Sequence, residues 1–228
     1  MDVYLNGQGF RCIIRLALYS SFCLFLKKLK KMKDFFFEKI YNHPNIKKED
    51  YKTIIGAHTK VKFSKNDTIL NEGKIGNEYY LVEKGLFRSY VIDYKGNEIT
   101  TEFFAPNDIL IEVASLFLNI PSKESIQALT DSEVYKIDYN TFQHLYSNIE
   151  GFTEWGRTWM SHQLFIAKHR AVNMHTQSAS QRYLDLIQEK PQIIKEVPLK
   201  YIASFLGITD TSLSRIRKEV TLQDWNLS

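Results

Sequence analysis

The chain has 228 residues, 44% hydrophobic, 25% charged and 14% aromatic, which suits one large domain or two modest ones with a real core. That balance excludes disordered, collagen-like and coiled-coil-only chains, and ten glycines with five prolines exclude long flexible linkers. The net charge of +4 divides into +6 over residues 1–33, −5 over 34–167 and +3 over 168–228, so a mildly acidic body precedes a basic tail suited to a polyanion.

The first segment, residues 13–26, is apolar and is followed at once by Lys27, Lys28, Lys30, Lys31 and Lys33. It is too short and interrupted for a membrane span, which needs ~20 apolar residues. Its basic cluster follows the apolar run, where a signal peptide carries it in front. A basic membrane-surface helix is the alternative. The expected natural start is Met32, which makes residues 1–31 an upstream extension. Both cysteines, Cys12 and Cys23, fall there. Two thiols exclude a disulfide scaffold and a four-thiolate metal site, and leave a reducing cytoplasm as the default compartment.

From Phe35 to about His58 the pattern is helical, with a turn at Pro44. The period then changes to two. Short runs rich in Val, Ile, Tyr, Phe and Thr alternate with turn residues at Asn66-Asp67, Gly73, Gly85, Gly96-Asn97 and Asn107-Asp108. That spacing predicts an antiparallel barrel or jelly roll, and the run Asp108–Phe117 is included among its strands. A metal-dependent jelly-roll enzyme needs converging histidines, yet none lies between His58 and His144. No base is available to activate a hydroxyl either. The carboxylates Glu98, Glu102, Asp108 and Glu112 read as the wet face of strands. No enzyme is expected.

Asn71-Glu72-Gly73, Tyr79 through Gly85, the Gly96 hairpin and Asn107-Asp108 through Glu112 resemble the cyclic-nucleotide-binding barrel of the Crp/Fnr family of bacterial transcription regulators. In that family a Gly-Glu pair and an Arg-Ser pair enclose a short helix, the Glu taking the ribose and the Arg the cyclic phosphate. The resemblance implies Glu112, Val113 and Ser125 as ligand-binding residues. Two positions depart from it: Ile111 replaces the Gly and Glu124 replaces the Arg. A carboxylate there repels a phosphate by about 4 kcal/mol at an effective dielectric of ~20. Lys123 is adjacent, but neighbouring strand residues face opposite sides. The expectation is therefore a kept barrel that binds an unknown small effector or nothing, no cofactor, and loss of conventional cyclic AMP binding.

Residues 150–174 form a long amphipathic pattern. Phe152, Trp155, Trp159, Ile166 and Arg170 share one stripe, with Met160, Leu164, Ala167, Ala171 and Met174 beside it. The apolar face is wider than a surface helix needs, which predicts a dimer helix packed on the barrel and on a partner. A break at Thr176-Gln177-Ser178 starts a new helix to about Glu189.

Residues 198–220 carry helix-turn-helix spacing. Ala203 is small where two helices cross, Gly207 supplies a left-handed turn, and Leu213 and Ile216 anchor the second helix. Thr209 is its expected capping hydroxyl and is counted with the expected DNA-binding residues. The free face then presents Thr211, Ser212, Ser214, Arg215 and Lys218, with Arg217 at the flank. Such a face suits a helix in the major groove, with Arg215 reaching a guanine edge and Lys218 a phosphate. The few residues after 220 leave no room for a β-wing.

The expected fold is therefore α+β. An N-terminal β jelly-roll of cyclic-nucleotide-binding type (34–148) follows the extension (1–33). A dimerisation helix (149–175) and a winged-helix-like helix-turn-helix domain (176–228) complete it. The expected function is a cytoplasmic, homodimeric regulator that binds double-stranded DNA, and the resemblance adds RNA polymerase as a partner. The rival is a membrane-tethered ligand-binding module anchored through residues 10–33.

Overall fold

The computed structural model describes residues 27–28 and 30–226, with side chains to residue 220. The N-terminal apolar run and both cysteines lie outside the described residues, so the membrane-anchor alternative does too. No helix among the described residues is long and apolar enough to cross a membrane.

Two helices, α1 (30–40) and α2 (Asp50–Gly56), precede eight strands. The strands are β1 (Thr59–Phe63), β2 (Thr68–Leu70), β3 (Glu78–Lys84), β4 (Phe87–Ile92), β5 (Glu98–Phe104), β6 (Ile109–Leu110), β7 (Ser125–Ala128) and β8 (Ser132–Asp138). They form two four-stranded sheets, β1-β8-β3-β6 and β2-β7-β4-β5, with antiparallel pairing throughout. This is a jelly roll. Val82, Phe87, Phe104, Leu110, Ile126 and Val134 fill the space between the sheets. Gly85 turns β3 into β4 at φ 97°, and an added Cβ would lie 2.0 Å from the Ser132 hydroxyl. Only glycine fits that turn.

One expected strand is corrected. After two paired residues in β6, the run Asp108–Phe117 turns into a helix, α3 (Val113–Leu118). Glu112 is the reason: its carboxylate accepts from the Ser115 amide and caps the helix. Residues beyond the cap then continue the helix where alternation suggested a strand.

Helix α4 (Tyr139–Asn148) leads into α5 (Phe152–Thr176). Gly151 makes the corner at φ 85°. Phe152 and Trp155 are buried with Phe37, Tyr41 and Phe142 in an aromatic core under the first sheet. Three shorter helices and one longer one follow: α6 (Ala179–Glu189), α7 (Pro191–Glu196), α8 (Leu199–Leu206) and α9 (Asp210–Asn226). A second core joins these helices to the outer face of the second sheet. Leu86, Phe103 and Leu129 of the barrel meet Leu186, Ile193, Ile202, Leu206 and Leu213 there. The C-terminal helices are therefore joined to the barrel by an apolar core of their own, separate from the one between the sheets.

Candidate functional site

Helix α8 ends in a Schellman-type cap. Gly207 sits at φ 68°, its amide donates to Ser204 O at 3.1 Å, and the Ile208 amide donates to Ala203 O at 3.0 Å. Thr209 then caps α9, its hydroxyl accepting from the Ser212 amide at 3.2 Å. Three residues thus reverse the chain. Ala203, Leu213 and Ile216 are buried between the helices. The underside of α9 is fixed, and its other face turns to solvent.

Thr211, Ser214, Arg215 and Lys218 are exposed and lie at steps of three, four and seven, so they form one stripe. Arg217 and Thr209 are exposed at the flanks. Ser212 is set apart: it is half-buried, and its hydroxyl lies 2.9 Å from that of Thr209. It belongs to the cap. The Ser214 hydroxyl donates back to Asp210 O at 2.9 Å and keeps its acceptor capacity outward.

The ligand-binding candidates are placed less favourably. Glu112 lines a cavity of about 100 Å³ with Leu70, Tyr80 and Leu110, but its carboxylate is already engaged in capping α3. The Ser125 hydroxyl is buried and accepts from the Glu72 amide at 3.0 Å. Val113 is exposed on the first turn of α3. Glu124 is half-buried, and burial pushes its carboxyl above the usual carboxylate range, with Glu112 adding to the shift. Lys123 points to solvent and does not compensate.

Residues 60–148 match the cyclic nucleotide-binding domain family. The cAMP-dependent protein kinase regulatory subunit of Colletotrichum orbiculare is 32% identical over 90 residues, covering 40% of this chain. The match spans 22% of that protein's length. Among solved structures, FixK2 from Bradyrhizobium japonicum has a TM-score of 0.62 at 18% identity, covering 73% of this chain and 86% of its own. A regulator of the Crp/Fnr family from Eubacterium rectale has a TM-score of 0.59 at 17% identity, covering 80% and 88%. The chain has the Crp/Fnr fold.

In this Crp/Fnr fold the outer face of the second sheet is a docking floor for α8. Arg88 on β4 is the centre of it, with its side chain 1% exposed. Its guanidinium pairs with Glu98, donates to Gln127 Oε1 at 2.9 Å, and lies 3.6 Å from the centre of the Tyr201 ring on α8. Tyr90 stacks near the same group at 4.2 Å. One step along, the Thr100 amide donates to the Ser204 hydroxyl at 3.1 Å. The β4–β5 ladder slips by one residue at Thr101. Such a bulge leaves backbone groups unpaired, and Arg170 of α5 donates to the freed Thr101 carbonyl while stacking 3.8 Å from the Phe205 ring. Lys190 donates to Asp108 and to Phe103 O, both at 2.6 Å. Arg88, Thr100, Tyr201 and Ser204 carry no motif. The one hint in the sequence is an arginine inside a largely apolar strand.

Proposed function

We propose that the chain is a DNA-binding transcription regulator of the Crp/Fnr type, working as a cytoplasmic homodimer with RNA polymerase as a partner. The observation that carries this reading is the exposed stripe Thr211, Ser214, Arg215 and Lys218 on a helix clamped from below by Leu213 and Ile216. Hydroxyls and a guanidinium fork near the N-terminal half of a protruding helix suit base edges, and Lys218 suits a phosphate.

Dimerisation is supported by α5. Met160, Leu164, Ala167, Ala171 and Met174 recur at alternating steps of four and three, the spacing of a coiled-coil seam. Leu164 is 70% exposed in the single chain, so the seam lacks cover. A two-fold pair through α5 would set the two α9 helices for successive major grooves, ~34 Å apart.

The barrel takes an effector other than a cyclic nucleotide. Glu124 stands where a phosphate would need a cation, and Glu112 is bound to α3. A change at Ser89 or Thr101 inside the barrel reaches α8 directly, because Arg88 and Thr100 are their strand neighbours. The test is Arg215→Ala. We expect loss of specific DNA binding in a gel shift with dimerisation unchanged in sedimentation. Equal loss of both would remove the role assigned to α9.

A further inference from the structure

We propose that the interface between two copies of this chain extends from α5 onto the outer face of α3. The α5 pairing proposed above is its premise. Helix α3 has the sequence VASLFL and carries no charge on any side. A helix that is apolar all round belongs in an interior. Only Ser115 and Leu116 of α3 are buried. On the opposite side Val113, Phe117 and Leu118 are exposed, Leu118 at 68%. Ile120 follows two residues later and is exposed too.

This face is continuous with the start of the α5 seam. Phe117 lines one groove together with Trp159 and Met160, and Met160 is the first seam residue. The Phe117 ring is held 6.1 Å from that of Phe142 and 6.2 Å from that of Tyr139, so the groove wall is anchored in the aromatic core. The groove encloses about 20 Å³. That is room for about one water, which suits a packed protein surface and not a small ligand.

Area selects a second copy as the occupant. A stable dimer covers about 800 Å² and roughly 20–30 residues on each side. The α5 seam offers Met160, Leu164, Ala167, Ala171 and Met174 along ~21 Å of helix. Five residues, two of them alanines, fall well short. Helix α3 adds uncharged surface at the near end of the seam, the composition of a homodimer core. Glu112 caps α3 and also lines the barrel cavity. One short helix therefore borders the cavity on one side and the partner on the other, and displacing its cap acts on both.

The test uses the full-length chain in sedimentation across concentration. Leu118→Lys charges the exposed face, and a cation suits the last turn of a helix, so the fold tolerates it. We expect about tenfold weaker dimerisation with unchanged melting of the single chain. Leu118→Gln takes its place if the lysine variant melts early. Benzoylphenylalanine in place of Leu118, irradiated in a mixture of unlabelled and ¹⁵N-labelled chains, should link the two copies through the partner's α5. Wild-type dimerisation by the Leu118 variants, with loss in Leu164→Asp, would overturn the α3 contact and leave the α5 pairing standing. A chain monomeric throughout, or a Leu164→Asp dimer of full strength, would overturn the α5 pairing and the α3 contact with it. Links confined to one copy, or links between copies away from α5, would overturn the contact; links to residues 1–26 of the same copy would show that the chain's own N-terminal segment covers α3.

Discussion

The two halves of α5 live in different surroundings. Phe152 and Trp155 are buried in the aromatic core, and Gly156 lies so close to Tyr146 that an added Cβ would sit 1.8 Å from its hydroxyl. From Met160 onward the helix leaves the barrel, and Leu164, Phe165 and Val172 are exposed. Arg170 is the main tether of that second half, through the Thr101 bulge. One amphipathic pattern thus serves as a core helix at one end and as a largely exposed helix tethered on one side at the other. Amphipathicity specifies that a face will be covered. It does not specify by what.

The largest effect is expected in the inner half. Phe152→Ala leaves a cavity among Tyr41, Phe142 and Trp155 and should cost about 3–5 kcal/mol in denaturant melts. A loss below about 1 kcal/mol would mean that this half is not core. The same cluster holds His58. It lies 2.8 Å from the Tyr41 hydroxyl and 2.7 Å from Ile54 O, and burial lowers its pKa to about 4. The folded state therefore prefers the neutral ring. Its contribution is complete above pH ~6.5 and fades as pH falls towards 4, on the order of 3 kcal/mol in all. His58→Gln should flatten that part of a pH-stability curve, and an unaltered slope would assign the acid sensitivity elsewhere.

The outer half should respond in assembly. Leu164→Asp is expected to weaken dimerisation about a hundredfold, roughly 2.7 kcal/mol, with little change in the melting of the chain itself. Sedimentation across concentration reads this, and a dimer of wild-type strength would place the interface off α5. The smallest effect concerns the tether. Arg170→Met keeps the aliphatic stem but loses the carbonyl bonds, about 1–2 kcal/mol. Faster amide exchange in α6 and α8, with barrel amides unchanged, would confirm that Arg170 holds the two parts together. A uniform increase would show that it supports the whole fold.

Much of this was legible in the residues. Alternation and turn residues placed the strands, and Ala203, Gly207, Leu213 and Ile216 placed α8 and α9, because local sterics and capping act over a few residues. The helix at Val113–Leu118 was implied by the family resemblance but not by alternation, since an apolar run of six reads equally as strand or helix. Ser212 was expected on the outer face, but its hydroxyl meets that of the capping Thr209. The docking floor was invisible: Arg88 touches Tyr201, 113 positions away, and Thr100 touches Ser204.

By itself the sequence determined the jelly roll, the long helix and the capped helix pair, because periodicity, glycine conformations and hydroxyl caps are properties of short stretches. Only the tertiary structure decided which half of α5 is core and that a guanidinium is buried under α8. Those features depend on groups far apart in the chain meeting at a single place, and no local pattern encodes the distance between them.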